Sequence, residues 1–163
     1  MRPPRVEPGP GQESVWDYPR PPVLDPTESR ITVSYGDDSL ADTTQAIRVL
    51  ETSQPPAFYL PRDDVNFEWL HPSTTRTYCE WKGEATFYDL THGDVLVSDV
   101  AWTYRTPNKD FEPITNYLAF YAQKLECRVD GEVATANEGH FYGGWITSKV
   151  VGPFKGGPGT AWW

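Results

Sequence analysis

The sequence has no cluster of lysine or arginine, no apolar run of membrane-spanning length and no cysteine or histidine pair at metal-ligand spacing. Each absence removes a class of function. Fourteen basic against twenty-three acidic residues leave a formal charge of -9 and a pI near 4.7 over 163 residues. A field of that sign repels phosphate backbones and anionic bilayers, so neither nucleic acid nor membrane is an expected partner. A membrane helix needs about 20 apolar residues in succession, and no stretch approaches that. The start, "MRPPRVEPGPGQES", is basic but has no apolar segment behind it, as a secretory signal would. A cytoplasmic location is expected. Cys79 and Cys127 are 48 positions apart and read as two thiols rather than a disulfide. His71, His92 and His140 supply no zinc-type spacing, and no metal or other cofactor is expected.

Aromatic residues are what the chain has in abundance. Seven Trp, nine Tyr and seven Phe exceed what most cores of this size need, so some rings are expected to line a pocket. Prolines crowd the beginning, where "RPPRVEPGPG" and "YPRPPVLDP" lack backbone donors and favour extended chain. Residues 1–13 are expected to be disordered. A single domain is expected over 14–160: an extended arm over 14–29 docked through Trp16 and Tyr18, a core over 30–133, and a glycine- and aromatic-rich strap over 139–163.

Between these ends the pattern alternates. Ile31, Val33 and Tyr35 share one strand face, and "GDD" turns the chain back into a hairpin. "DTTQAIRVLE" predicts a helix of about two turns capped by Asp42, with Gln45 three residues on. "RDDVNFEWL" predicts a further helical turn opened by Asp63. "TYCEWKGEATFYDL" predicts one strand, with Cys79, Trp81, Ala85 and Phe87 on one face and Glu80, Lys82, Glu84 and Thr86 on the other. "THGD" leads into a second hairpin, "FEPITNYLAFY" into a short helix begun by Pro113, and Asp130-Gly131 into a tight hairpin. The expected fold is mainly β, with antiparallel sheets and a few short helices.

The segments "RVLETSQPPAFYLPRDDV", "CEWKGEATFY", "AWTY" and "LAFY", in that order, resemble the domain of unknown function family 427, which is widespread in bacteria. The flanking "VWDYPRPP" and "FYGGWITSKVVGPFKGGPGT" resemble the longer actinobacterial-type members, and the resemblance covers about residues 14–160. It implies a β-tent-like fold, in which antiparallel sheets lean together around a pocket. Many β-tent relatives hold zinc with two cysteine pairs, which this sequence lacks. The family has also carried the label nucleotidyltransferase-like.

That label finds little support in the residues. "GPFKGGPGT" (152–160) has a phosphate loop's composition, but Lys155 precedes Gly156 and Gly157, and Pro153 and Pro158 remove backbone donors. Too few residues follow for a helix whose N-terminus could face a phosphate. The adjacent pairs Asp37-Asp38 and Asp63-Asp64 read as turn and capping residues rather than Mg²⁺ ligands. Cys79 is a candidate nucleophile, but on an alternating strand Lys82 would face away from it, and a buried thiol is the plainer reading. Glu51, Lys82, Tyr88, Tyr104 and Lys155 are candidates to face a cavity walled by Trp81, Trp102 and Trp145. Such a cavity would hold a small organic molecule, which is the expected partner and function. The alternative is a metal-independent enzyme in which Glu51 acts as a general base or Cys79 as a nucleophile. Trp162 and Trp163 at the chain end suggest a homodimer contact.

Overall fold

Alternating β-branched and aromatic residues fold into short strands that assemble mainly antiparallel sheets. The computed structural model describes residues 3–139 and 143–163. Along the chain run β1 (Glu13–Ser14), β2 (Val23–Pro26), β3 (Ile31–Tyr35), β4 (Asp38–Thr43), β5 (Ile47–Leu50), β6 (Ala57–Tyr59) and β7 (Leu70–Cys79). Then come β8 (Gly83–His92), β9 (Val95–Thr103), β10 (Leu118–Phe120), β11 (Glu126–Val129), β12 (Glu132–Val133), β13 (Thr135–Ala136), β14 (Trp145–Ile146) and β15 (Val150–Val151). One sheet has the order β10-β9-β8-β7, a second β12-β11-β3-β4 and a third β2-β5-β6. The helices among the described residues are short 3-10 turns, and none is long and apolar enough to cross a membrane.

The sheet built from β7 to β10 separates two apolar clusters. Residues alternate along its strands, so Tyr88, Leu90 and Ala101 join Ile31, Val33, Leu118 and Phe120 on one side. Ala85, Phe87, Trp102 and Tyr104 face the other way, toward Ile47, Val49 and Tyr59 of the third sheet. Phe87 and Trp102 are directly paired across β8 and β9, which puts two large rings side by side on that face. This second interface carries the cavity described below.

Of three predicted helical segments one is a strand and two are shorter 3-10 turns. "DTTQAIRVLE" ends β4, turns and forms β5, which pairs with β2 on one side and β6 on the other. The β-branched Ile47 and Val49 suit a pleated surface, and sheet partners on both sides outweigh a weak helical tendency. Asp42 does not cap a helix; its carboxylate takes Arg30 Nη2 at 2.7 Å, and Thr43 Oγ1 instead accepts the Gln45 N–H at 2.9 Å. "RDDVNFEWL" keeps only the 3-10 turn Arg62–Asp64, entered through Pro61 rather than Asp63. "FEPITNYLAFY" divides into the 3-10 stretch Lys109–Ile114, with Pro113 inside it, and β10. Asn116, at φ +63°, separates the two.

The two chain ends lie against each other. β1 pairs in parallel with β15, and the Val6 N–H donates to the Gly152 carbonyl at 3.1 Å. Val15, Trp16 and Tyr18 form a third apolar cluster with Leu50 and Val150, and Trp163 lies 5.7 Å from Trp16, ring centre to ring centre. Arg48, projecting from β5 away from the cavity, joins this region to the sheet by pairing with both Glu13 and Asp25. Of the C-terminal strap, residues 140–142 lie outside the described residues, and so does the spacing argument that involves His140.

Candidate functional site

A cavity of about 810 Å³ lies between the third sheet and the Phe87/Trp102 face of the β7–β10 sheet. Part of its lining is set by a hairpin the sequence pattern does not reveal. Cys79 pairs with Gly83, so Glu80, Trp81 and Lys82 form a turn and "TYCEWKGEATFYDL" is two strands, not one. Gly83 sits at φ +107°, where side chains are strongly disfavoured. Asn108 holds the turn from outside: its side chain donates to the Trp81 carbonyl at 2.8 Å, and its backbone N–H to the Lys82 carbonyl at 2.9 Å. A turn resets strand alternation, and the expectation that Lys82 faces away from Cys79 is therefore overturned. Lys82 returns to the cavity that Cys79 also lines.

Lys82 is the main electrostatic feature of the interior. Burial acts to lower its pKa, but the polar surroundings, the Glu51 carboxylate among them, more than offset this and hold it above the ordinary lysine value. It is an ammonium at neutral pH, with Nζ 5.8 Å from the centre of the Tyr104 ring. None of the ion pairs among the described residues includes it. Glu51 is engaged elsewhere: Arg20, reaching in from the N-terminal arm, lies 3.3 Å from its carboxylate.

The phenols near Lys82 cluster with Trp102. Trp102 Nε1–H donates to Tyr59 Oη at 3.1 Å, and the Tyr59 and Tyr104 ring centres are 6.2 Å apart. Burial pushes the Tyr59 and Tyr104 hydroxyls well up, and burial together with Tyr59 and Asp99 pushes Tyr121 up to about 12. All three stay protonated. Tyr59 is 1 % exposed, and its own proton has no acceptor among the described residues.

The structure brings Glu51, Cys79, Trp81, Lys82, Trp102, Tyr104 and Lys155 to this cavity. Tyr88 and Trp145 lie elsewhere. Tyr88 follows Phe87 and therefore points to the opposite side of β8, where its hydroxyl accepts from Arg62 Nη2 at 2.8 Å. Trp145 is buried in the first cluster, stacked 5.0 Å from Phe58 and donating its Nε1–H to the Phe120 carbonyl at 2.8 Å. Tyr59, Phe87 and Tyr121 also line the cavity but were not among the candidates. Phe87 already shared a predicted face with Cys79 and Trp81, a signal that could have included it.

Lys155 reaches the cavity on the strap. Its N–H donates to the Ser53 carbonyl at 2.8 Å, and its carbonyl accepts from Asn137 Nδ2 at 2.7 Å. The glycines after it serve close packing: a Cβ on Gly156 would meet the Glu138 carbonyl at 2.2 Å, and one on Gly157 the Glu138 carboxylate at 2.3 Å. The acidic pairs are occupied locally, with Asp64 accepting from the Thr43 hydroxyl at 2.7 Å and Asp38 paired with His92. Among the described residues no group of three His, Cys, Asp or Glu side chains could hold a metal ion.

The two thiols are free and differ sharply in setting. Cys127 is 0 % exposed and burial pushes its pKa up, whereas Cys79 is half-buried at the cavity. Iodoacetamide on the native protein is expected to alkylate Cys79 at least about tenfold faster than Cys127, since access and thiolate character set the rate. Peptide mapping over time measures both, and equal rates would contradict this arrangement.

No curated protein matches the chain. A family model named NTP_transf_9, described as a domain of unknown function (DUF427), matches residues 23–135. That span holds the hairpin with Lys82, the Tyr59–Trp102–Tyr104 cluster and Glu51, and excludes Lys155 and most of the arm and strap. Because the match covers well over half of the sequence, the chain belongs to the DUF427 family.

Proposed function

We propose that the protein binds a small organic molecule in the cavity between the third sheet and the β7–β10 sheet. The observation that carries this reading is the composition of the walls: the rings of Trp81, Phe87, Trp102, Tyr104 and Tyr121 share them with charged and amide side chains of both signs, among them Glu51, Lys82 and Asp99. Pockets of this size and kind take small molecules, with the rings supplying contact area and the polar groups fixing orientation. A thermal-shift panel of small organic acids, neutral aromatics and nucleotides tests the reading. At a hundredfold excess over Kd, binding adds about 2.7 kcal/mol of stability. For a chain of this length that is a rise in Tm of about 5–10 °C. Such a shift is expected from members of the organic sets. A panel in which none of them raises Tm, or in which only nucleoside triphosphate with Mg²⁺ does, overturns the proposal.

One observation favours a second reading, that of an enzyme. Cys79 is a half-buried free thiol lining the cavity that Lys82 also lines, the place for a nucleophile. Multiple turnovers of a thioester or ester ligand, lost in Cys79→Ser, would establish it; alkylation of Cys79 alone would not.

A further inference from the structure

We infer that the cavity's occupant is a monocarboxylate with a flat aromatic or conjugated body, its carboxylate seated between Lys82 Nζ and Tyr59 Oη. This inference rests on the small-molecule reading above. It starts from two donors that the protein leaves unspent. Lys82 is a half-buried lysine lining the cavity, in no ion pair among the described residues, and a partly desolvated charge without a direct partner is costly. Tyr59 Oη accepts from Trp102 Nε1 at 3.1 Å, and none of the hydrogen bonds among the described residues takes its own proton. Both groups line the same cavity. A ligand that brings an anionic acceptor between them would satisfy both.

The charge and shape of the site narrow the class. Lys82, Lys124 and Lys155 line the cavity together with Glu51, Glu80 and Asp99, so its charges balance, and the chain as a whole carries -9, which opposes polyanions. A phosphate would want several backbone N–H donors, but the β8 and β9 backbones facing the cavity are engaged in their ladder. One ammonium and one phenol match the two oxygens of a carboxylate, in the short, charge-assisted geometry such pairs adopt. Behind that point, Trp81, Phe87, Trp102 and Tyr121 present ring surfaces that favour a flat, π-rich body. Glu51 acts on Lys82 only at a distance, since its direct ion pair is with Arg20 at 3.3 Å.

The test compares acids with their own primary amides. Trans-cinnamate and indole-3-propionate, with cinnamamide and indole-3-propionamide, are titrated calorimetrically into the full chain. Each acid is expected to bind at least about tenfold tighter than its amide, because a charge-assisted hydrogen bond outweighs a neutral one by that order. Lys82→Met is expected to abolish the preference by weakening the acid more than the amide, Lys82→Arg to retain most of it, and Tyr59→Phe to weaken the acid about fivefold. The wild-type acid-to-amide ratio decides the matter even where a variant fails to fold. Amides binding as tightly as acids overturn the carboxylate assignment and leave the small-molecule reading intact. No binding by either member of both pairs overturns the carboxylate assignment, and the broader thermal-shift panel then decides the small-molecule reading separately.

Discussion

Trp145→Ala is expected to destabilise the protein by about 3–5 kcal/mol, the range for removing a large buried ring. In a chain of this length that is a fall in Tm on the order of 10 °C. Three losses combine. The ring is 1 % exposed, so its removal opens a void inside the larger cluster. Its stacking on Phe58 at 5.0 Å disappears, and the Phe120 carbonyl loses the donor now 2.8 Å away. Trp145→Phe keeps the first two interactions in part and is expected to lose roughly half as much. Because Trp145 does not touch the cavity, Trp145→Phe is also expected to bind ligands as the wild type does. Thermal unfolding and calorimetry measure the two effects; a Trp145→Ala protein within about 2 °C of the wild type contradicts the packing described.

Comparison with the sequence shows where local patterns inform and where they fail. The hairpins at Ile31–Thr43 and at Asp130-Gly131 were legible because alternation and turn residues coincide there. β5 was misread as helix because Ala46, Ile47, Val49 and Leu50 satisfy a helical stripe as well as a strand, and only pairing with β2 and β6 decides between them. The candidate site was partly legible. Trp81, Lys82, Trp102 and Tyr104 stand in strong motifs, but no local pattern says which side of β8 holds a cavity. Phe87 and Tyr88 are adjacent and diverge. The Cys79–Lys82 juxtaposition depended on a turn between them, for which Gly83 was the one visible sign. Glu51, Tyr59, Lys82 and Lys155 come from separate elements that converge only in three dimensions.

Gly143→Ala is expected to disturb both stability and the cavity, because the strap crosses the cavity wall at a distance only glycine permits. A Cβ at Gly143 would lie 2.1 Å from Trp102 Cη2 and 2.8 Å from Cζ3, far inside contact distance. Trp102 has little freedom to yield. Its Nε1–H is committed to Tyr59, its ring centre is 4.6 Å from that of Tyr121, and it is paired across the sheet with Phe87. The strap cannot readily shift along the chain either, since a Cβ on Gly144 would meet the Pro55 carbonyl at 2.3 Å and Trp145 N–H is bonded to the Pro56 carbonyl at 2.9 Å. Overpacking of this kind costs about 1–3 kcal/mol, a fall in Tm of roughly 5 °C in this chain. Whichever side moves, the cavity changes: a displaced Trp102 breaks the bond to Tyr59, and a lifted strap opens the wall. Ligand affinity is therefore expected to fall by about tenfold or more in a protein that still folds, an outcome Trp145→Phe does not share. Wild-type Tm together with wild-type affinity in Gly143→Ala would show that the strap does not form this wall.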